Sequence, residues 1–142
     1  MATEKKSRNR WVDAITSMIE LTQDGKLRWT VAPGVSTHYD DEERITPVFQ
    51  TTYNDKALRL YKVRRPTNYS NTVISLYNIS GTELPRWSTR VILEFVDSEG
   101  RALWTFPQVD ALSDLLTSVQ YQVTGVSDFL DTIINEARKA KG

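Results

Sequence analysis

The sequence contains no cysteine, one histidine and six glycines among its 142 residues. The lack of cysteine excludes disulfides, thiolate metal ligands and cysteine nucleophiles. The only histidine is His38, and no serine stands in a G-x-S-x-G segment, so a serine–histidine hydrolase triad is not expected. The glycines form neither a G-x-G-x-x-G pattern nor a phosphate-binding P-loop. We therefore predict no catalytic residue and no cofactor.

Net charge and long apolar runs are also lacking. Eighteen basic residues balance eighteen acidic ones, so nucleic-acid binding would have to be a local property. No stretch is long and apolar enough to span a bilayer, and residues 1–10 lack the apolar segment of a signal peptide. We expect a cytoplasmic protein with no membrane partner. We also expect residues 1–10 to be a flexible basic N-terminus, followed by a single domain over 11–142.

Apolar residues at helical spacing predict three helices. The first covers residues 8–24, and the second covers residues 109–123. Gly125 interrupts the pattern, and Ser127 is a plausible N-cap for the third helix. The third helix has four large apolar residues on one face: Phe129, Leu130, Ile133 and Ile134.

Alternating apolar and polar residues predict a sheet. The predicted strands are 27–31, 48–53, 57–63, 91–96 and 101–106, with 72–79 as either a short strand or an edge excursion. Residues 33–47 are rich in loop-forming and acidic residues, which predicts a loop. Strand 91–96 is apolar on both faces, which favours an interior position. The element order predicts a single α+β domain: an N-terminal helix, a mainly antiparallel sheet of about five or six strands, and two C-terminal helices packed on one face.

One predicted strand is both basic and aromatic. Its candidate binding residues are Arg59, Tyr61, Lys62, Arg64 and Arg65. Strand alternation places Arg59, Tyr61 and Arg65 on one face and the other two on the opposite face. Cations beside an aromatic ring can hold a phosphate or stack a base. The alternative is that the leucines of this strand face the core, the tyrosine pairs across strands, and the cations protect a sheet edge.

Two more candidates lie in predicted loops. Trp87 follows Arg86, and a loop tryptophan beside an arginine is a candidate interface anchor. His38 precedes the acidic run 40–43, and imidazole with carboxylates can bind a divalent metal. An acidic run in such a loop is more typical of a solvated segment. We therefore assign no metal site.

Several segments together resemble a set of small uncharacterised bacterial proteins. The segments are residues 11–14, 20–29, 93–97 and 100–107. The resemblance covers most of the chain apart from the first ten residues and the region 65–88. It implies a bacterial origin and a single α+β domain, and it brings no activity, cofactor or catalytic residue.

The lack of catalytic groups, the two-faced strand 91–96 and Trp87 favour a protein that works through its surface. We predict a non-catalytic protein-interaction or accessory protein, of the adaptor or immunity type, that binds a protein partner or itself. The alternative is a nucleotide- or nucleic-acid-binding module that uses residues 56–65. A third hypothesis is a metal-dependent hydrolase that uses His38.

Overall fold

The computed structural model describes residues 2–34, 42–66 and 87–141, with side chains from residue 10 onward. The elements in these ranges are α1 (Ala2–Gln23), β1 (Thr30–Val31), β2 (Glu43–Arg44), β3 (Phe49–Tyr53), β4 (Lys56–Pro66), β5 (Trp87–Val96), β6 (Ala102–Thr105), α2 (Ala111–Thr124) and α3 (Val126–Lys141). The six strands form one antiparallel sheet in the order β1-β3-β4-β5-β6, and β2 also pairs with β4. This confirms the predicted α+β domain. The region 72–79 lies outside the described residues.

Helix α1 begins at Ala2, earlier than the predicted start at residue 8. The apolar stripe of this helix starts only at Trp11, so periodicity cannot detect the preceding turns, whose residues include the strong helix formers alanine, glutamate and lysine. The helix ends before Gly25, which has a φ of 74°. Glycine adopts this left-handed conformation without strain, as helix C-termini commonly require.

The turn between β3 and β4 shows why the predicted hairpin forms without glycine. Asn54 and Asp55 have φ values of 53° and 65°, so both central residues are left-handed. This is the pattern of a type I′ turn, and asparagine and aspartate tolerate that region better than other non-glycine residues. The turn matches the twist of the two strands, and β3 pairs with β4 as predicted.

The turn between β5 and β6 is held by one carboxylate. Asp97 Oδ1 accepts hydrogen bonds from the N–H groups of Glu99 and Arg101, at 2.9 and 2.8 Å. The backbone N–H of Arg101 contributes most to lowering the pKa of Asp97 below its usual value. The predicted hairpin between residues 91–96 and 101–106 is thereby confirmed.

Strand β1 is shorter than predicted because a glutamine side chain takes the place of a neighbouring strand. The N–H of Trp29 donates to Gln122 Oε1 at 2.8 Å. Gln122 Nε2 donates to the carbonyl oxygens of Thr22 and Leu27, at 2.8 and 2.9 Å. The backbone groups of Leu27 and Trp29 are therefore bound by a side chain of helix α2, and between them the Arg28 carbonyl accepts a hydrogen bond from the Thr51 hydroxyl of β3 at 2.6 Å.

Strand β2 lies within the predicted loop 33–47. Its two residues pair with β4, Glu43 opposite Arg64 and Arg44 opposite Val63. A charged two-residue pairing has no apolar alternation, so the sequence pattern could not reveal it. Strand β2 therefore lies beyond the end of β3 and pairs with the later residues of β4.

Burial divides between the two faces of the sheet. The larger cluster lies between one sheet face and helices α1 and α2, and α2 contributes Leu112, Leu115, Leu116 and Val119 to it. The opposite face carries the smaller cluster of Ala32, Val48, Tyr61, Val63 and Ile92. Strand β5 contributes to both clusters and lies between β4 and β6, which confirms its interior position.

Candidate functional site

Two of the predicted binding residues on strand β4 lie in the protein interior. Arg59 and Tyr61 lie on the sheet face of the smaller cluster, and both are buried. Arg59 Nη2 and the Tyr61 hydroxyl donate to Glu94 Oε1, at 3.0 and 3.2 Å. The cation is thus neutralised within the domain. Of the remaining residues of β4, Arg65 alternates onto the same face and is exposed.

Sequence reasoning missed Glu94, which is the acceptor of both hydrogen bonds. It stands in the middle of an apolar strand and directly opposite Arg59 in the pairing of β4 with β5. A carboxylate within an apolar strand is costly to bury unless it is paired. The apolar part of each of the two strands holds one isolated charge, Glu94 in β5 and Arg59 in β4. These opposite charges were the feature of the sequence that could have indicated a buried ion pair.

Arg64 and Trp87, two residues of the predicted site, contact each other at the protein surface. The Arg64 guanidinium carbon lies 4.5 Å from the centroid of the Trp87 ring, which is a cation–π contact. Arg64 Nη2 also lies 2.8 Å from Glu43 Oε2. Trp87 is 47% exposed. The prediction that it lies in a loop is wrong, because it pairs with Pro66 as the first residue of β5.

Lys62 shares this sheet face and borders a cleft of about 240 Å³ between strands β4 and β5 and the start of α2. The polar and charged residues around the cleft are Lys62, Thr89, Arg90, Gln108, Asp110 and Ser113. The structure therefore brings Lys62, Arg64 and Trp87 to one face. It separates them from Arg59, Tyr61 and Arg65.

The described ranges contain no group of three histidine, aspartate or glutamate side chains able to hold a metal ion. His38 and the first two residues of the acidic run lie outside these ranges. The last two are engaged in ion pairs, Glu42 with Arg90 and Glu43 with Arg64. The hydrolase hypothesis therefore stays a prediction.

Helix α3 follows α2 after a single residue. Gly125 has φ 74° and ψ 35°, and its N–H donates to the last turn of α2. The prediction that Ser127 caps α3 is wrong, because the helix begins at Val126 and the N–H of Phe129 already donates to the Gly125 carbonyl at 3.0 Å. Gly125 thus ends α2 and immediately precedes the first residue of α3.

The apolar face of α3 is open to solvent. Its exposed side chains are Phe129 (62%), Leu130 (43%), Ile133 (52%) and Ile134 (46%). None of the 16 residues of α3, all of which the structure describes, is buried. We call these four side chains the α3 face.

A groove of about 430 Å³ opens where α1 and α2 end and α3 begins. Its wall includes Arg28, Tyr121 and Gln122, and α3 contributes Ser127 and Asp128 to it. Neither residue is one of the four side chains of the α3 face, so the groove is distinct from that face.

No protein-family model, curated protein or solved structure matches this chain. In the part of the chain that the structure describes, no helix has the length and apolar character needed to cross a membrane.

Proposed function

We propose that this chain is a non-catalytic protein-interaction protein and that the α3 face is its docking surface. The observation that carries the proposal is a helix of 16 residues that exposes four large apolar side chains and buries none of its residues. Contiguous exposed apolar patches mark interaction sites on folded proteins.

The physical argument concerns both the helix and its side chains. Full burial of a leucine, isoleucine or phenylalanine side chain contributes about 1.5–3 kcal/mol, and α3 leaves much of that contribution unrealised. An isolated helix of this length is also only marginally stable in water, because most helix stability in proteins comes from packing of the apolar face. A partner that covers the α3 face would bury these side chains and would stabilise the helix by packing against it.

The polar side of α3 favours a protein partner over a lipid surface. Helices that lie on membranes carry mainly lysine and arginine on the polar face. Here Asp128, Asp131 and Glu136 balance the basic residues of the last turn. A helix with no net charge gains little from anionic lipid headgroups.

The proposal includes an adaptor, accessory or immunity-type role in the bacterial cytoplasm. A chain without cysteine is compatible with a reducing compartment. The resemblance to small bacterial proteins supports the bacterial setting. Fractionation of host cells with an antibody to the chain tests the compartment, and recovery in a membrane or secreted fraction contradicts it.

Photo-cross-linking in host cells tests the docking surface. A photoreactive residue replaces Ile133 in one variant and Asn135, on the opposite side of α3, in a matched control. We expect a protein adduct from position 133 and none from position 135. The adduct should disappear when Phe129→Glu is added. Equal labelling from both positions, or no protein adduct from position 133, overturns the proposal.

A second candidate function is nucleotide or single-stranded nucleic-acid binding, favoured by the exposed Arg64–Trp87 stack with Lys62 on the same face. Aromatic rings and nearby cations bind bases and phosphates in this way. Glu43 opposes it, because its carboxylate already occupies Arg64.

Adjacent arginines provide the matched test of this second function. Arg64→Ala removes the stack, whereas Arg65→Ala changes the opposite face of the same strand. If the chain binds a single-stranded oligonucleotide, we expect loss of affinity with Arg64→Ala only, a gain with Glu43→Gln, and a steep decrease with salt. Absence of binding at low salt in both the unmodified chain and Glu43→Gln excludes it.

A further inference from the structure

We infer that the occupant of the α3 face is the α3 face of a second copy, with the two helices packed antiparallel about a two-fold axis. The inference rests on the proposed function, because it names the partner of that docking surface. A two-fold interface uses the same patch on both copies, so the patch must complement itself. Both the apolar and the charged residues of α3 meet this condition.

The apolar residues form a continuous stripe along α3. They recur at spacings of three and four: Val126, Phe129, Leu130, Ile133, Ile134 and Ala137. This spacing places them on one side of the helix, where two such stripes can interlock. The midpoint of α3 falls between Ile133 and Ile134. With the two-fold axis at that point, the two helices lie beside each other along their full length.

The net charge of α3 changes sign along the helix. Asp128 and Asp131 lie in the first half, whereas the second half holds one acid, Glu136, and the three basic residues of the last turn, Arg138, Lys139 and Lys141, so that the first half is net negative and the second net positive. Antiparallel packing sets the acidic half of one copy beside the basic half of the other, whereas parallel packing sets like charges together. Asp131 and Arg138 are seven residues, about two turns, apart and therefore share one flank of the stripe. Each can pair with the opposite residue of the second copy.

The size of the contact predicts a weak dimer. A helix of 16 residues is about 24 Å long, so one helix pair buries less than the roughly 1,200 Å² typical of stable complexes. We expect a concentration-dependent dimer with a Kd in the micromolar range. The groove beside Ser127 and Asp128 stays outside this contact.

Sedimentation of the purified chain from about 1 to about 500 µM tests self-association. We expect Ile133→Glu to raise the Kd at least about a hundredfold, because the interface would have to bury an unpaired carboxylate. Asn135→Glu, on the polar side, should leave the Kd unchanged. Circular dichroism and thermal unfolding at low concentration check that both variants fold. A chain that stays monomeric throughout overturns the inference.

Charge exchange separates pairing between copies from an effect of charge on the helix dipole alone. We expect Asp131→Arg and Arg138→Asp each to raise the Kd about tenfold, because each change places like charges across the axis twice. An equimolar mixture of the two variants should form a mixed dimer at least as tight as the unmodified one. A mixture no tighter than either variant contradicts charge pairing across the axis.

The cysteine-free chain allows the orientation to be measured directly. Ser127→Cys and Lys141→Cys introduce single thiols at the two ends of the same flank. We expect a short bis-maleimide to link the two variants when they are mixed, and neither variant to itself. Self-linking of Ser127→Cys indicates parallel packing and overturns the proposed arrangement.

Failure of this inference is distinguishable from failure of the proposed function. A monomeric chain whose position 133 still cross-links to another protein in cells loses the self-association and keeps the docking surface. A dimer insensitive to Ile133→Glu uses another surface, such as edge strand β6 with its exposed Trp104, and overturns the inference. Binding to anionic vesicles that Ile133→Glu abolishes, without any protein adduct, overturns both.

Discussion

Helices α2 and α3 follow each other along the chain, carry similar apolar stripes and have opposite environments. The stripe of α2 is buried against α1 and the sheet, with Leu112, Leu115, Leu116 and Val119 in the core. The stripe of α3 is exposed from Phe129 onward, and only Val126 at its start is half-buried. Amphipathic spacing therefore predicts a helix and identifies its apolar side, but it does not predict whether the rest of the domain covers that side.

The largest effect should separate the two stripes. We expect Leu115→Ala, at a fully buried position, to lower the free energy of unfolding by about 2–5 kcal/mol. The matched change Leu130→Ala in α3 should cost less than about 1 kcal/mol at concentrations where the chain is monomeric. Urea unfolding measures both values. Similar costs would show that α3 is packed as tightly as α2.

A second comparison concerns the polar contacts of α2, which bind it to α1 and to the segment before β1. Gln122→Glu keeps an acceptor for the Trp29 N–H but removes both donors to the carbonyl groups of Thr22 and Leu27. We expect a loss of about 1–3 kcal/mol, since buried carbonyl groups lose their partners. Gln120→Glu on the same helix is the control and should cost less. Hydrogen exchange at Leu27 to Trp29 should accelerate only in the first variant.

The junction between the helices should contribute a smaller amount. A Cβ atom at Gly125 would meet nothing within 4 Å, so Gly125→Ala introduces backbone strain at positive φ and no clash. We expect a loss of about 1 kcal/mol in thermal or urea unfolding. Gly125→Asn should lose less, because asparagine tolerates the left-handed region better. Equal losses in the two variants would contradict a purely conformational role.

The smallest effect should come from a contact that depends on neither helix. Asp97 is held by N–H groups of its own turn, and its folded-state pKa lies below the usual 3.8. A lowered pKa stabilises the folded state above pH 3.8, and this contribution is lost as the pH falls through the folded-state pKa. Asp97→Asn should therefore be less stable than the unmodified chain at neutral pH, with a difference that narrows on acidification. A difference that persists at the lowest pH tested contradicts this origin.

Much of the fold could be predicted because its signals are local. Leu112 to Val119 repeat at helical spacing, Asn54 and Asp55 favour a tight hairpin turn, and β5 is apolar on both faces. The short pairing of Glu43 and Arg44 could not be predicted, since it depends on the register of β4 and has no pattern of its own.

The candidate site was less predictable than the fold. Alternation correctly divided the basic residues of β4 between two faces, and Arg64 and Lys62 share a face with Trp87. It could not show that Glu94, which is 35 residues beyond Arg59, neutralises that arginine inside the domain. Strand pairing between distant segments determines such a contact.

Spacing and turn chemistry act between neighbouring residues, so the amino-acid pattern was enough to predict the three helices, most of the strands and the apolar side of each. Whether an apolar side is covered depends on contacts between segments that are far apart in the chain. Gln122 contacts Trp29 across 93 positions of the chain, and through such contacts α2 is joined to the core. Only Gly125 separates α3 from α2, but no residue of α3 is buried, because the core of this domain does not extend to that helix.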